Sequence, residues 1–213
     1  ALEAAGAGLD LGQVAASVML GATLWFVVEG YESAPVGHIT SDVEGKLKVQ
    51  DSLVVGAGLG LFAAADMSEG TVLGSYPGRR WSQQQWLSKK AGGDTAKQDK
   101  ARTYVWVMDE KNEGMVIDPT DRDGELGDNA AWELGSLTLP LDDVKTTLCR
   151  INEPPRGSDT NVVAEYVDSE VLFCLERAVK AGEELYIDYG PMYDRKDYGG
   201  PTNSLGYLTF PDE

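Results

Sequence analysis

The chain has 213 residues, of which 42% are hydrophobic and 25% charged, and its 35 acidic side chains outnumber the 18 basic ones to give a net charge of −17. That length carries one substantial core with at most an appended segment. The charge excludes a nucleic-acid partner, because binding phosphate backbones rests on Lys and Arg; a basic protein segment is attracted instead, unless the acidity serves solubility alone.

Leu11 to Val28 is an 18-residue run without a charge, between Asp10 and Glu29. It reaches the length of a membrane-spanning helix. The small-residue pairs Gly12 with Ala16 and Ser17 with Gly21 suit close helix approach, and Trp25, Phe26 and Tyr31 suit an interface. Gln13 and Ser17 equally suit the wet edge of a core-packed helix, and a leftover signal sequence is a third reading. An apolar head straight after Ala1 is what a processed subunit of a membrane assembly carries. His38 lies in the loop-like stretch PVGHITSD and reads as an exposed loop residue; with no second histidine, a hydrolytic triad has nothing else to use.

The run VVGAGLGLFAA, Val54 to Ala64, then ends a strand in a glycine-rich turn. Gly56 and Gly58 fit a dinucleotide-binding turn, but Leu61 stands where the third glycine belongs. The turn residues Ser68-Glu69-Gly70 and a new β-type run follow too soon for a crossover helix. Short strands are expected at Lys46–Val55, Thr71–Tyr76, Thr103–Met108, Gly114–Asp118, Asn161–Val167, Val171–Arg177 and Glu184–Tyr189, with a hairpin turning at Asp168-Ser169-Glu170. A helix is expected at Trp81–Lys90 and a surface loop at Lys89–Lys100. The acidic stretch Thr120–Thr147 reads as a long irregular insertion, the kind of loop that contacts partners. Cys149 and Cys174 are too few for a disulfide framework or a four-cysteine zinc site, and no metal is expected.

Two blocks, Gly56 to Gly78 and Cys149 to Gly190, resemble the opening and closing motifs of the SET domain, the protein-lysine methyltransferase fold. The first is similar to its G-x-G-L/V-F-A turn, strand and Y-x-G; the second to its R-x-x-N … N-V strand pair and its G-E-E-L-x-x-D-Y-G ending. The resemblance implies a β-dominated α+β fold of the β-clip type with a threaded C-terminal crossing. The corresponding division is an apolar helix at 1–35, a SET-like domain at 36–198 with an insertion at about 120–147, and a tail at 199–213.

By the same resemblance, backbone at Gly58, Leu59, Gly60 and Leu61 would cradle S-adenosylmethionine, the glycines allowing close approach, with Arg150, Asn152 and Asn161 also at the donor site. Tyr189 matches the catalytic tyrosine, and Tyr104 the second aromatic of the lysine channel. Three features depart from the family pattern. Glu153 and Pro154 replace His and Ser after the asparagine, Ile187 replaces an aromatic residue, and no cysteine-rich segment follows.

Two functions follow as expectations. One is an S-adenosylmethionine-dependent protein-lysine methyltransferase, tethered to a membrane through residues 11–28 and acting on a lysine-bearing protein. The other is a catalytically silent SET-like accessory or scaffold subunit of a membrane complex, in an organelle such as a plastid.

Overall fold

Valine, isoleucine and phenylalanine runs broken by glycine turns fold into three small antiparallel sheets, as the strand-and-turn pattern predicts. The structure is a computed structural model and describes residues 35–108, 114–134, 137–139, 144–155 and 157–190. The apolar segment 11–28 and the tail 199–213 lie outside the described residues. Among the described residues, no helix is long and apolar enough to cross a membrane.

The strands are β1 Val36–Ile39, β2 Leu47–Asp51, β3 Leu59–Ala63, β4 Val72–Ser82, β5 Trp106–Val107, β6 Met115–Asp118, β7 Trp132–Leu134, β8 Leu137–Leu139, β9 Val162–Val167 and β10 Glu170–Leu175. The main sheet runs β5-β6-β4-β10-β9, with β1 also paired to β4, while β2 pairs β3 and β7 pairs β8. Gly74 is paired on both sides, to Ile39 in β1 and to Phe173 in β10. A β-carbon there would lie 2.0 Å from the His38 carbonyl oxygen, so only glycine allows this three-strand meeting. His38 therefore stands in an edge strand rather than a loop, with Nδ1 2.9 Å from Ser75 Oγ.

Two of the expected strands differ from the sequence expectation, and the stretch Thr120–Thr147, expected to be irregular, carries the paired strands β7 and β8. The expected strand Lys46–Val55 ends at Asp51, and residues 52–58 form the turn into β3. The expected strand Glu184–Tyr189 is not part of a ladder. It runs between β3 and the segment 152–162: Leu185 N–H donates to Leu61 O, Ile187 N–H to Asn152 O, and Tyr186 O accepts from Asn161 and Val162 N–H. These bonds lay the crossing segment 184–187 against β3, Asn152 and the start of β9.

Helix α1, Gln83–Lys89, starts at a reciprocal capping box between Ser82 and Gln85. The expected surface loop after it is instead a 3₁₀ turn, Lys90–Gly93, and helix α2, Thr95–Arg102, which Asp94 caps by accepting from Ala96 and Lys97 N–H. Lys97 and Lys100 of α2 pair with Asp123 and Glu125, so the first acids of the insertion are answered within the chain. Lys90 is buried with Asp118: its ammonium lies 2.9 Å from Asp118 Oδ2 and donates to Thr120 O, Thr120 Oγ1 and Asp121 O. Asp118 also accepts from Trp86 Nε1 and from Thr120 N–H and Oγ1, so every group of this buried pair is bonded. The main core gathers Leu61, Leu73, Ile117, Leu148, Val162, Phe173, Leu185 and Ile187, which places β3, β4, β10 and the 184–187 segment around one apolar centre.

Candidate functional site

A cavity of about 440 Å³ opens where the β2–β3 turn, β4, β5, β9 and the 148–152 and 187–190 segments meet. Its size falls in the range of small-molecule sites. Its lining includes Gly56, Ala57 and Leu59 of the glycine-rich turn and Asn152, together with the aromatic residues Tyr76, Trp106, Tyr166, Phe173 and Tyr189. Among the described residues, its charged lining residues are Arg102 and Arg150, with no carboxylate or imidazole on the wall.

The aromatic side is fixed by mutual packing. Trp106 lies 5.3 Å from Tyr76 and 5.2 Å from Phe173 between ring centroids, Tyr76 lies 5.5 Å from Phe173, and all three pairs are tilted or edge-on as ring quadrupoles prefer. Trp106 Nε1 donates to Tyr166 Oη at 3.2 Å, joining the two edge strands of the main sheet across the cavity mouth. Tyr76 Oη donates to Tyr104 O at 2.7 Å. Burial pushes the Tyr76 hydroxyl well above its ordinary pKa, with Cys149 beside it adding to the rise. Burial likewise pushes the Cys149 thiol up to about 12, against the opposing hydrogen bond from Tyr76. Both groups are neutral at physiological pH.

Tyr189 is held at both ends. Its Oη donates to Ile151 O at 2.8 Å, and its backbone N–H donates to Glu153 Oε1 at 3.1 Å. A hydroxyl has one proton, so this one offers only acceptor lone pairs to any other partner. Glu153, at the position where the family has histidine, thus clamps the backbone of the tyrosine.

The expected site residues divide into two groups. Tyr104, Tyr189, Leu59, Arg150 and Asn152 line the cavity. Gly58, Gly60, Leu61 and Asn161 lie off its wall, and Gly56 and Ala57 take the place expected for them. Leu61 is fully buried core. Asn161 hooks the crossing instead: Nδ2 donates to Glu184 O and Oδ1 accepts from Tyr186 N–H. Gly58 has φ +71° with nothing within 4 Å of a β-carbon, so it needs glycine for its backbone shape. Gly60 needs it for a different reason. A β-carbon there would lie 2.2 Å from Oε1 of Glu184, so the crowding comes from inside the protein.

Glu184 is the residue that sequence reasoning missed. Only 2% exposed, its carboxylate accepts from Ser52 Oγ (2.6 Å) and Asn152 Nδ2 (3.3 Å) at Oε1, and from Leu53 N–H (2.7 Å) and Tyr186 Oη (2.9 Å) at Oε2. Burial, together with this carboxylate, pushes the Tyr186 hydroxyl pKa upward. In G-E-E-L-Y the two glutamates look alike on paper. Strand alternation points the wrong way, since it is Glu183 that shares the parity of the buried Leu185 and Ile187, while Glu184 is the buried one.

The fit to an adenosyl methyl donor rests on the cavity lining, where Gly56, Ala57 and Leu59 of the glycine-rich turn stand with Asn152. Among the described residues, no group of three or more His, Cys, Asp and Glu is placed to hold a metal ion.

A family model described as the SET domain matches residues 58–190. Among solved structures, an active polycomb repressive complex 2 in the stimulated state is similar with 22% identity, a TM-score of 0.48, and coverage of 69% of this chain and 15% of that one. The polycomb repressive complex 2 of Chaetomium thermophilum is similar at 23% identity and a TM-score of 0.46, covering 68% and 15%. A form of that complex in an autoinhibited conformation, bound to S-adenosylmethionine, is similar at 23% identity and a TM-score of 0.45, with the same coverage. The chain thus spans about 15% of the length of these solved chains. Comparison with curated proteins gives no match.

Proposed function

Since the chain belongs to the SET-domain family, we propose that it is an S-adenosylmethionine-dependent protein-lysine methyltransferase. The observation that carries this reading is one cavity lined both by Gly56, Ala57 and Leu59 of the glycine-rich turn and by the aromatic residues Tyr76, Trp106, Phe173 and Tyr189. The donor supplies a methyl group already activated on a sulfonium. What remains for the chain is alignment, oxygen acceptors and exclusion of water.

Each task has residues suited to it. Gly56, Ala57 and Leu59 offer backbone to the donor, beside Asn152. Tyr76, Trp106 and Phe173 form an apolar slot for a long alkyl side chain. Tyr189, its proton committed to Ile151 O, presents an oxygen acceptor to a polarised methyl or an amine N–H. Among the described residues the walls carry no carboxylate or imidazole, so the acceptor amine enters neutral, having lost its proton to solvent. A net charge of −17 draws basic protein segments, the surroundings in which lysines occur.

The second reading is a silent scaffold or accessory subunit. It is favoured by Glu153, which clamps the Tyr189 backbone, and by Pro154, which has no N–H to donate. Membrane tethering through residues 11–28 and a plastid setting rest on sequence pattern alone. Calorimetric titration of the chain with S-adenosylmethionine separates the two. Micromolar binding, about −8 kcal/mol, with radiolabelled methyl transfer to lysine in basic protein substrates, supports the enzyme. No binding up to millimolar donor overturns it in favour of the scaffold.

A further inference from the structure

We propose that Glu184 is the positioning residue that sets the donor-side wall of the cavity, an inference that rests on the methyl-donor reading above. Glu184 touches neither cavity nor ligand space. It acts through the residues that do.

Its two oxygens gather four donors from three parts of the chain: Ser52 and Leu53 at the end of β2, Asn152 just after a second 3₁₀ turn, Thr147–Arg150, and Tyr186 in the crossing segment. From Ser52 the chain of bonds continues into the cavity wall. Ser52 Oγ accepts from Val54 N–H (3.0 Å), Ser52 N–H donates to Gly58 O (2.8 Å), and Ala57 N–H donates to Val54 O (3.1 Å). From Asn152 it continues to Leu59, whose carbonyl accepts the same amide at 3.0 Å. Gly56, Ala57, Leu59 and Asn152 are thus tied to one buried carboxylate.

Of the apolar side chains of this turn, only Val54 is buried. Leu53 and Val55 are 70% and 92% exposed, so their apolar side chains add little to holding the backbone. Hydrogen bonds to an ionised group are about twice as strong as neutral ones, and four buried or half-buried donors left without their acceptor would each carry a desolvation cost. Gly60 lies against the carboxylate with no room for a methyl, which shows how closely turn and glutamate are packed. Glutamine has the same shape but one oxygen fewer. Whichever way its amide lies, its NH₂ faces one hydroxyl, which can turn to accept, and one N–H donor, Leu53 N–H or Asn152 Nδ2, which cannot, so Glu184→Gln loosens the turn with almost no change in volume.

The test uses the full chain and two readouts: amide hydrogen exchange across residues 50–60 without ligand, and calorimetric Kd for S-adenosylmethionine. In Glu184→Gln the expected result is at least tenfold faster exchange at Leu53 and Val54 and at least tenfold weaker donor binding. In turnover, donor KM rises while acceptor KM stays within about twofold. A folded Glu184→Gln that binds donor as tightly as the wild type overturns the inference. So does one whose melting temperature falls while donor Kd stays put, since that is a purely structural glutamate. If Glu184→Gln does not fold, Ser52→Ala and Tyr186→Phe each remove one donor and decide instead: severalfold weaker donor binding supports the positioning role, and unchanged binding overturns it. A wild type that binds no donor overturns the methyltransferase reading itself, a result distinct from a variant matching a wild type that binds.

Discussion

Gly60 makes room for Glu184: a β-carbon at position 60 would sit 2.2 Å from Oε1 and 2.9 Å from Cδ of a carboxylate that four donors hold in place. The two glycines of the G-L-G turn should therefore fail differently. Gly60→Ala is expected to cost about 1–3 kcal/mol through overpacking. Gly58→Asn is expected to cost well under 1 kcal/mol, since asparagine tolerates positive φ and nothing stands within 4 Å. Adding Glu184→Ser to Gly60→Ala should relieve the clash, giving a coupling energy in a double-mutant cycle read by urea denaturation. Strict additivity would show that the crowding has no energetic consequence.

Tyr189 bonds to Ile151 O through its only hydroxyl proton. Tyr189→Phe is expected to lower methyl transfer by on the order of 10²-fold, the scale of losing one preorganised polar group, while donor Kd changes less than threefold. Single-turnover transfer and calorimetry on the same preparation give both numbers. Equal losses in binding and rate would make Tyr189 a donor-binding residue instead.

Alkaline pH should unfold this domain through two neutral groups. Cys149 has its pKa raised by burial from its ordinary 9.0 to about 12, and Tyr76 is raised well above 10.0. A raised folded-state pKa means that the folded chain holds protons the unfolded chain has lost. Stability is therefore full below about pH 9 and falls as pH climbs toward 12, by up to about 1.4 kcal/mol per pH unit per group. Urea midpoints between pH 8 and 11 should fall, and Cys149→Ala should flatten the early part of the fall. An unchanged slope in that variant would show that the thiol is not the group responsible.

The buried Lys90–Asp118 pair joins the end of α1 to β6 and to the start of the acidic insertion at Thr120. Lys90→Met or Asp118→Asn leaves one buried charge unanswered and is expected to cost about 3–5 kcal/mol. Chemical denaturation of the single and double variants should show the double costing less than the sum. Single-variant losses below 1 kcal/mol would mean that water reaches the surviving charge.

The strands around the site are legible as short β-type runs separated by turn residues, as in Asn161–Val167 and Val171–Arg177, which form the hairpin β9–β10 turning at Asp168 with φ 54°. Tyr104, Tyr189 and Asn152 were legible through motif. What escaped is non-local. Trp106, Tyr166 and Phe173 come from three strands, and their meeting depends on how the sheet curls until its edges face one another, which no local spacing encodes. Helix α2 escaped because Gly92, Gly93 and a mostly polar composition read as loop, though its Asp94 cap was visible. Asn161 and Gly60 were assigned to ligand contact, yet their neighbours are the crossing segment and Glu184, pairings that span 23 and 124 positions of sequence.

The segment 184–187 also sets an order of events in synthesis. Hairpins such as β2–β3 and β9–β10 close between near neighbours, but Leu61 O, Asn152 O and Asn161 N–H find their partners in the last described stretch of chain. A nascent chain halted before Leu185 carries those hairpins without the clasp that joins them. Contacts of such long sequence separation form late, so pulse-labelled exchange should find the amides of Leu185 and Ile187 protected last. A cavity protected before those two amides would mean that its walls assemble without the clasp.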